Sequence, residues 1–297
     1  MDEQAARSIV EGLVNAAGDD AAVVDGTVLT IDMLHERTDF PPGTSRYTAG
    51  WRSVGVSLSD VAAMGASATA TVAAFGVPDF ETDVLEAFLE GARDVSAAVG
   101  AQYVGGDLDQ HSEFTVATAA IGTTEQPVRR SGASPGELLC VTGTLGRSAA
   151  GVRAFESGAI GLGNDLFQFT PRVEAGQALA GVATAMMDAS DGLARSLHQL
   201  GAASDVGFRV DGDAIPVADA LDRFLATGET GSEVATTYGG DFELVFTIPE
   251  AELEAVRSAL SVPVSVLGTV QPAEAGIELD GEPLPDQGYT HGESTGR

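Results

Sequence analysis

The sequence contains no lysine, since all 15 of its basic residues are arginines. Phosphate loops ending in Gly-Lys-Ser/Thr, protein-kinase sites and Schiff-base enzymes each use a lysine, so these classes are excluded. Cys140 is the single cysteine, which also excludes an intramolecular disulfide and a cysteine-rich metal cluster. The apolar neighbours of Cys140 predict a buried strand residue.

Positive charge is scarce, and the formal net charge is −29. Nonspecific nucleic-acid binding and anionic-membrane binding both need a basic patch, so neither partner is expected. No apolar run approaches the roughly 18 residues that span a bilayer, and the acidic start lacks a basic signal-peptide region. We therefore expect a cytoplasmic protein, and the excess of acid without lysine indicates a halophilic cytoplasm.

Helical and strand periodicities alternate along the 297 residues, which predicts an α/β (α+β) protein with two domains. The polar segment 129–137 contains Gly and Pro and predicts a boundary that divides the chain into residues 1–130 and 131–297. The predicted helices are 3–16, 48–64, 82–99, 147–156, 172–183 and 191–200. The predicted strands are 23–24, 28–31, 70–75, 103–104, 114–121, 138–142, 185–188, 207–211, 243–248 and 263–270.

Five segments place aspartates after glycines, at strand ends or in an apolar helix. Each alone has an ordinary reading, an Asp-rich turn or a helix cap, but carboxylate oxygens are also the ligands that Mg²⁺ prefers. The segments contain Asp20, Asp32, Asp60, Asp107, and the pair Asp188 and Asp191. Their recurrence in one chain favours a site for divalent cations.

The glycine-containing segment 143–148 lies between a predicted strand and a predicted helix. Its backbone N–H groups could bind an anion at the helix N-terminus, or the segment could be a plain tight connection.

Electrostatics indicates what the aspartates need in order to bind ATP. Two unit charges about 4 Å apart interact by roughly 4 kcal/mol at an effective dielectric of 20, so bare aspartates would repel ATP. Bridging cations would remove that repulsion, and phosphoryl transfer through Mg²⁺ then needs no catalytic residue beyond the metal ligands.

Taken in order, these segments resemble the thiamine-monophosphate kinases, within the superfamily that includes aminoimidazole ribonucleotide synthetase. The resemblance is carried by Gly18-Asp19-Asp20-Ala21, Asp32-Met33-Leu34, Leu58 to Ala66, Gly105-Gly106-Asp107, Arg130-Ser131-Gly132-Ala133, Val141 to Gly146 and Asp188 to Gly192. It implies ATP-dependent phosphorylation of thiamine monophosphate to thiamine diphosphate. It also implies an N-terminal mixed sheet with helices that dimerises into a homodimer, a C-terminal α/β sandwich, and a cleft between them as the active site.

The resemblance also implies roles for individual residues. Several Mg²⁺ ions would be held by Asp20, Asp32, Asp60, Asp107, Asp188 and Asp191, with a backbone oxygen of Thr30 or Ile31. ATP would contact Gly106, Asp107, Arg130 and Ser190. Thiamine monophosphate would contact the positions now occupied by Asp39, Gly240 and Tyr289.

Three positions depart from the family pattern. Asp39 stands where the family usually has histidine, Gly240 where it has glutamate, and Ile31 where a side-chain oxygen is common. We interpret Asp39 as a recognition group for the cationic thiazolium or the aminopyrimidine, and Tyr289 as a ring that stacks on the substrate or packs the C-terminal region. The altered pocket leaves two alternatives open: a related ATP enzyme with a different acceptor, or a catalytically silent nucleotide-binding protein.

Overall fold

The structure is a computed structural model that describes residues 9–10, 12–14 and 17–289. Most of the predicted N-terminal helix 3–16 therefore lies outside the described residues. Within that segment, residues 9, 10, 12 and 13 are helical.

The N-terminal part of the chain forms a mixed five-stranded sheet. Its strands are β1 (Ala22–Val24), β2 (Thr27–His35), β3 (Ser67–Val77), β4 (Gln102–Gln110) and β5 (Thr115–Thr123). Their spatial order is β1-β2-β5-β3-β4, in which β3 and β4 pair in parallel and the other neighbours antiparallel. The predicted hairpin between β1 and β2 is confirmed, with positive φ at both Asp25 (49°) and Gly26 (77°), as a type I′ turn requires.

Helices cover one face of this sheet. They are α1 (Glu36–Asp39), α2 (Arg46–Ala63) and α3 (Thr82–Ala98). Glycines let α2 and α3 approach closely, because a Cβ at Gly50 would lie 2.1 Å from the carbonyl oxygen of Phe88, and one at Gly91 would lie 2.0 Å from that of Tyr47. The small, apolar character of α2 is thus a packing requirement.

The second sheet is also mixed and has seven strands. They are β6 (Leu138–Thr142), β7 (Ala185–Asp188), β8 (Val206–Val210), β9 (Leu244–Ile248), β10 (Val264–Pro272), β11 (Ile277–Leu279) and β12 (Glu282–Pro283). Their order is β12-β11-β8-β10-β6-β9-β7, with β11 and β8 parallel. The described helices in this part are α4 (Arg147–Glu156), α5 (Ile160–Phe167), α6 (Val173–Leu179), α7 (Leu193–Ser204), α8 (Gly231–Thr237) and α9 (Leu253–Ala259).

The two sheets share a packed junction at α2 and α6. A Cβ at Gly176 of α6 would lie 2.1 Å from the carbonyl oxygen of Ala62 in α2, so the helices touch backbone to backbone. Buried side chains from both halves of the chain, including Cys140, form one continuous apolar cluster. The last turn of α2 is thereby held against the second sheet, and the predicted boundary at residues 130–131 lies in the connection between β5 and β6.

Two local predictions were wrong, and one alternative reading is excluded. The sequence predicts that the Thr82 hydroxyl caps the start of helix 82–99, but α3 begins after Glu81 without a side-chain cap. Helix capping was the alternative reading of Asp60 and Asp191, and it is excluded because Asp60 lies in the last turn of α2 and Asp191 precedes the uncapped start of α7 at Gly192. Gly105-Gly106-Asp107 lies inside the nine-residue strand β4 and does not end it, because β4 continues its pairing with β3 to Gln110.

Candidate active site

Three aspartates from distant parts of the chain meet between the two sheets. Asp20 comes from the loop before β1, Asp60 from the end of α2 and Asp188 from the end of β7. One carboxylate oxygen from each lies within 4.8 Å of the others. We call Asp20, Asp60 and Asp188 the carboxylate cluster, and its hard oxygen ligands are suited to Mg²⁺.

Hydroxyl groups fix the orientation of these carboxylates. The hydroxyl of Thr30 donates to Oδ2 of Asp60. Ser59 donates to Oδ2 of Asp188 over 2.5 Å and so connects α2 to the second sheet. Sequence reasoning assigned no role to Ser59, although its place directly before Asp60 was a local signal.

Asp32 flanks the carboxylate cluster on the inner face of β2. Ser57 of α2 donates to Oδ2 of Asp32 over 2.8 Å. Ser57, three residues before Asp60 and thus close to it on the surface of α2, was likewise missed by sequence reasoning.

Burial and mutual repulsion perturb the acidity of these groups. Desolvation raises the pKa of Asp60 well above its ordinary value of 3.8, and repulsion by Asp32, then by the rest of the carboxylate cluster, raises it further. Desolvation, with the charge of Asp20 in second place, raises the pKa of Asp188 to about 7. Burial also raises the pKa of Asp32. The site thus holds more negative charge than its surroundings stabilise, which a divalent cation would offset.

Arg130 contributes positive charge to the carboxylate cluster. Its Nη2 lies 2.9 Å from Oδ1 of Asp20, and its Nε donates to Oδ2 of the same carboxylate over 3.2 Å. Asp19 accepts from the backbone N–H of Arg130 over 2.9 Å and pairs with the Arg129 side chain over 2.5 Å. Asp19, which belongs to the predicted Gly18-Asp19-Asp20 turn but was assigned no role of its own, therefore ties the connection between the sheets to the loop that carries Asp20.

The loop after β7 holds Ser190 and Asp191 near the carboxylate cluster. The Ser190 side chain hydrogen-bonds the carboxylate of Asp188 and lowers the pKa of that group, against the larger effect of burial. The backbone oxygen of Ser190 accepts from the N–H of Gly240 over 2.6 Å, and that of Asp191 accepts from the N–H of Tyr289 over 2.9 Å. The predicted metal-side loop is therefore joined directly to two predicted substrate-side positions.

Other predicted ligands do not join the cluster within one chain. Asp107 pairs with Ala74 of β3, on the sheet face opposite to that of Asp32. Because β5 and β3 separate β2 from β4, about 14 Å of sheet lies between them at roughly 4.8 Å per strand. Gly106 adjoins Asp107 in β4. The side chain of Ile31 is 74% exposed on the outer face of the sheet, and the resemblance assigns this residue a metal contact through its backbone oxygen only.

The glycine-containing segment 143–148 binds a carboxylate of the protein itself, the side chain of Asp241. The buried carboxylate of Asp241 accepts from the N–H of Gly146 over 2.6 Å and from that of Ser148 over 2.8 Å, at the start of α4. Desolvation raises the pKa of Asp241 to about 6 despite these two hydrogen bonds. The N-terminus of α4 is thus occupied by an internal side chain.

Arg52 is a buried cation at the centre of the predicted substrate side. Its guanidinium donates to the carbonyl oxygens of Phe167 (2.9 Å) and Gly240 (3.2 Å) and lies 3.8 Å from the centre of the Phe167 ring. Gly240 has φ +93°, and a Cβ there would lie 2.5 Å from Nη2 of Arg52. Sequence reasoning missed Arg52, whose signal was a charge flanked by apolar and small residues in the middle of α2.

Asp39 and Tyr289 also meet on this side, with the Tyr289 hydroxyl 3.5 Å from Oδ1 of Asp39. Oδ2 of Asp39 accepts from the backbone N–H of His35 and the hydroxyl of Thr38, each over 2.7 Å. The charge of Asp39 also acts on Arg52, whose pKa burial lowers to about 10. Two of the predicted substrate positions, Gly240 and Asp39, therefore act on one buried guanidinium, and the third, Tyr289, contacts Asp39.

Comparisons with known proteins agree with this architecture. Residues 18–124 match the family of AIR synthase related proteins through its N-terminal domain, and residues 134–279 match it through the C-terminal domain. The chain is 62% identical to thiamine-monophosphate kinase of Halobacterium salinarum, over 98% of this chain and 100% of the relative. It is 41% identical to thiamine-monophosphate kinase of Methanospirillum hungatei, over 96% of this chain and 98% of the relative.

Solved structures show the same likeness. AaThiL complexed with AMPPCP and TMP superposes with a TM-score of 0.88 at 25% identity, covering 98% of this chain and 97% of that one. In the part of the chain that the structure describes, no helix has the length and apolar character needed to cross a membrane.

Proposed function

The chain belongs to the thiamine-monophosphate kinase family of AIR synthase related proteins, and from this membership we propose that it converts ATP and thiamine monophosphate into ADP and thiamine diphosphate. A phosphate oxygen of thiamine monophosphate attacks the γ-phosphorus of ATP, and the bond from that phosphorus to the β–γ bridging oxygen breaks. The attacking oxygen is already ionised, so no general base is needed. The carboxylate cluster between the two sheets is the observation that carries this proposal.

Mg²⁺ fits this cluster chemically, because buried and mutually repelling carboxylates gain stability from a hard divalent cation. The cation supplies charge neutralisation for the nucleotide phosphates and the developing transition state. Asp20, Asp60 and Asp188 would hold it, with Asp32 and Asp191 beside them. A role for Thr30 or Ile31 through backbone oxygen stays a prediction.

On the nucleotide side, we assign phosphate binding to Arg130 and Ser190, which border the carboxylate cluster. A guanidinium binds phosphate oxygens in a two-pronged geometry that lysine cannot reproduce, which suits a chain without lysine. Contacts of ATP with Gly106 and Asp107 also stay predictions.

On the acceptor side, Asp39 and Tyr289 would bind the thiamine rings. Asp39 supplies a negative charge for the cationic thiazolium at a position where three donors hold its carboxylate in place. A side chain at Gly240 would collide with Arg52, so the glutamate usual in the family has no room here. Asp39 would then supply the negative charge that this glutamate provides in the family.

A homodimer formed through the N-terminal sheet is part of this proposal. The outer face of the sheet exposes apolar side chains, namely Leu29, Ile31, Met33, Val72 and Ile121. A second copy of the chain would cover this face, since monomeric proteins rarely expose contiguous apolar patches of this kind. Light scattering should report a dimer for the wild type and a monomer for Leu29→Arg, whereas Phe80→Arg, equally exposed away from the sheet, should leave the dimer intact.

The catalytic proposal is tested by incubating the protein with Mg²⁺, ATP and thiamine monophosphate at high KCl and separating the products by chromatography. High salt is chosen because the acidic surface supports our inference of a halophilic cytoplasm. Thiamine diphosphate should form, and Asp188→Asn should abolish it while Glu86→Gln, on the exposed side of α3, leaves it unchanged. ATP binding without thiamine diphosphate would instead favour another acceptor or a silent protein.

The acceptor-side proposal has its own readout. Asp39→Asn should raise the KM for thiamine monophosphate about tenfold, because it removes one charge–charge contact, and should leave the KM for ATP unchanged. An unchanged KM for thiamine monophosphate would remove Asp39 from the acceptor site.

A further inference from the structure

Arg130 pairs with one carboxylate of the cluster, that of Asp20. Its guanidinium engages both oxygens of Asp20, over 2.9 and 3.2 Å. The charges of Asp188 and Asp60 add to that of Asp20 in raising the pKa of Arg130 against the effect of its burial. A divalent cation that uses an oxygen of Asp20 therefore has to compete with this guanidinium.

The backbone of Arg130 is fixed on both sides. Its N–H donates to Oδ1 of Asp19 over 2.9 Å, and its carbonyl oxygen accepts from the hydroxyl of Ser204 over 3.0 Å. The preceding carbonyl, that of Arg129, accepts from the N–H of Met186 over 2.9 Å. The Arg130 side chain is 17% exposed, so its guanidinium can leave Asp20 by side-chain rotation without backbone movement.

We propose that Arg130 is an exchangeable counter-ion that couples metal binding to nucleotide binding, an inference that rests on the proposed function. Without nucleotide, Arg130 neutralises Asp20 and weakens metal binding. The phosphates of a bound nucleoside triphosphate draw the guanidinium away, because Arg–phosphate pairs form the same bidentate hydrogen bonds as Arg–carboxylate pairs. Asp20 then becomes free for the metal, and by linkage the metal promotes nucleotide binding equally.

The test is the affinity for Mn²⁺ alone, measured by electron paramagnetic resonance at fixed KCl and pH 8, then repeated with the methylene analogue of ATP. Arg130→Gln should bind Mn²⁺ alone about tenfold more tightly than the wild type, within the usual range of coupling between sites. The gain in Mn²⁺ affinity on adding the analogue should shrink by the same factor. Arg130→Lys keeps the charge but cannot span both oxygens of Asp20, so its Mn²⁺ affinity should fall between the two.

Arg129→Gln is the matched control, because it removes one positive charge at the adjacent residue, whose partner is Asp19. Equal Mn²⁺ affinities of wild type and Arg130→Gln, in folded proteins with unchanged melting curves, would overturn the inference. An equal gain in Arg129→Gln would also overturn it, since the effect would then be general charge removal. If either result is found and the wild type still makes thiamine diphosphate, the inference fails and the proposed function stands. If the wild type does not bind the ATP analogue, both the inference and the proposed function are refuted.

Discussion

Replacing Asp60 by Asn should stabilise the metal-free protein and abolish its kinase activity. The substitution removes one negative charge from three carboxylates whose ligand atoms lie within 4.8 Å of one another. An amide oxygen can still accept the hydroxyl of Thr30, so the local hydrogen bond survives. Gain in stability together with loss of function is expected where a site carries charge that only its ligand neutralises.

The magnitude follows from Coulomb's law. Two unit charges 4.8 Å apart repel by about 3.5 kcal/mol at an effective dielectric of 20. Arg130 offsets part of this repulsion and the raised pKa values offset more through protonation, so we expect a gain of about 1–3 kcal/mol at pH 8. At roughly 2–4 °C per kcal/mol for a protein of this size, the melting temperature should rise by about 2–8 °C.

The assay is thermal unfolding in EDTA at fixed KCl, at pH 8 and at pH 5. The stabilisation by Asp60→Asn should shrink as the pH falls from 8 to 5, because burial and repulsion raise the pKa of Asp60 and its protonation in the wild type removes the repulsion. Glu86→Gln removes a distant exposed charge and should change neither melting curve. An Asp60→Asn variant that melts at or below the wild-type temperature at pH 8 would refute this account of the carboxylate cluster.

Other predictions concern pH, backbone strain and a buried ion pair. Burial raises the pKa of Asp188 from 3.8 to about 7, so the contribution of Asp188 to metal-free stability is complete below about pH 4 and is lost as pH rises through 7. The Mg²⁺ affinity measured by calorimetry should therefore increase roughly tenfold from pH 6 to pH 8, and an affinity independent of pH would contradict this. Gly240→Ala should lower the free energy of unfolding in urea by about 1–3 kcal/mol more than Gly281→Ala, because both glycines have positive φ but only a Cβ at Gly240 would meet the Arg52 guanidinium. Equal losses for the two variants would refute this clash. Arg172→Met should cost about 3 kcal/mol, because it leaves the buried carboxylate of Glu243 without its 2.5 Å partner, and a loss below about 1 kcal/mol would contradict this.

Local chemistry allowed much of the fold to be predicted from the sequence. The turn at Asp25-Gly26 and strands β6 and β7 were predicted at or near their observed bounds, because turn residues and apolar runs act within a few positions. Helices α1, α5, α8 and α9 and strands β11 and β12 were missed. These elements are short, and their formation depends on packing against neighbours that are distant in the chain.

The sequence predicted which residues belong to the candidate site, but it did not predict which of them contact one another. A glycine-containing turn marked Asp20, an apolar helix marked Asp60 and a strand end marked Asp188. Their supporting contacts cross long distances in sequence, such as 129 residues from Ser59 to Asp188. Arg130 was expected to contact ATP through the family resemblance, whereas its pairing with Asp20 is a consequence of tertiary structure. Asp107 gave an equally strong local pattern and yet lies on the opposite face of the sheet from Asp32, because strand order decides which carboxylates meet.

The segment 143–148 shows why a local anion-binding pattern does not identify a ligand. Its glycines and the helix start at α4 do bind a carboxylate, but Asp241 supplies it from 95 residues away along the chain. The N-terminus of α4 is therefore closed to nucleotide phosphates unless Asp241, itself 7% exposed, leaves the hydrogen bonds that hold it. Phosphate binding in the proposed reaction then depends on arginine and on cations held by aspartates, which is how a chain without lysine can transfer a phosphoryl group.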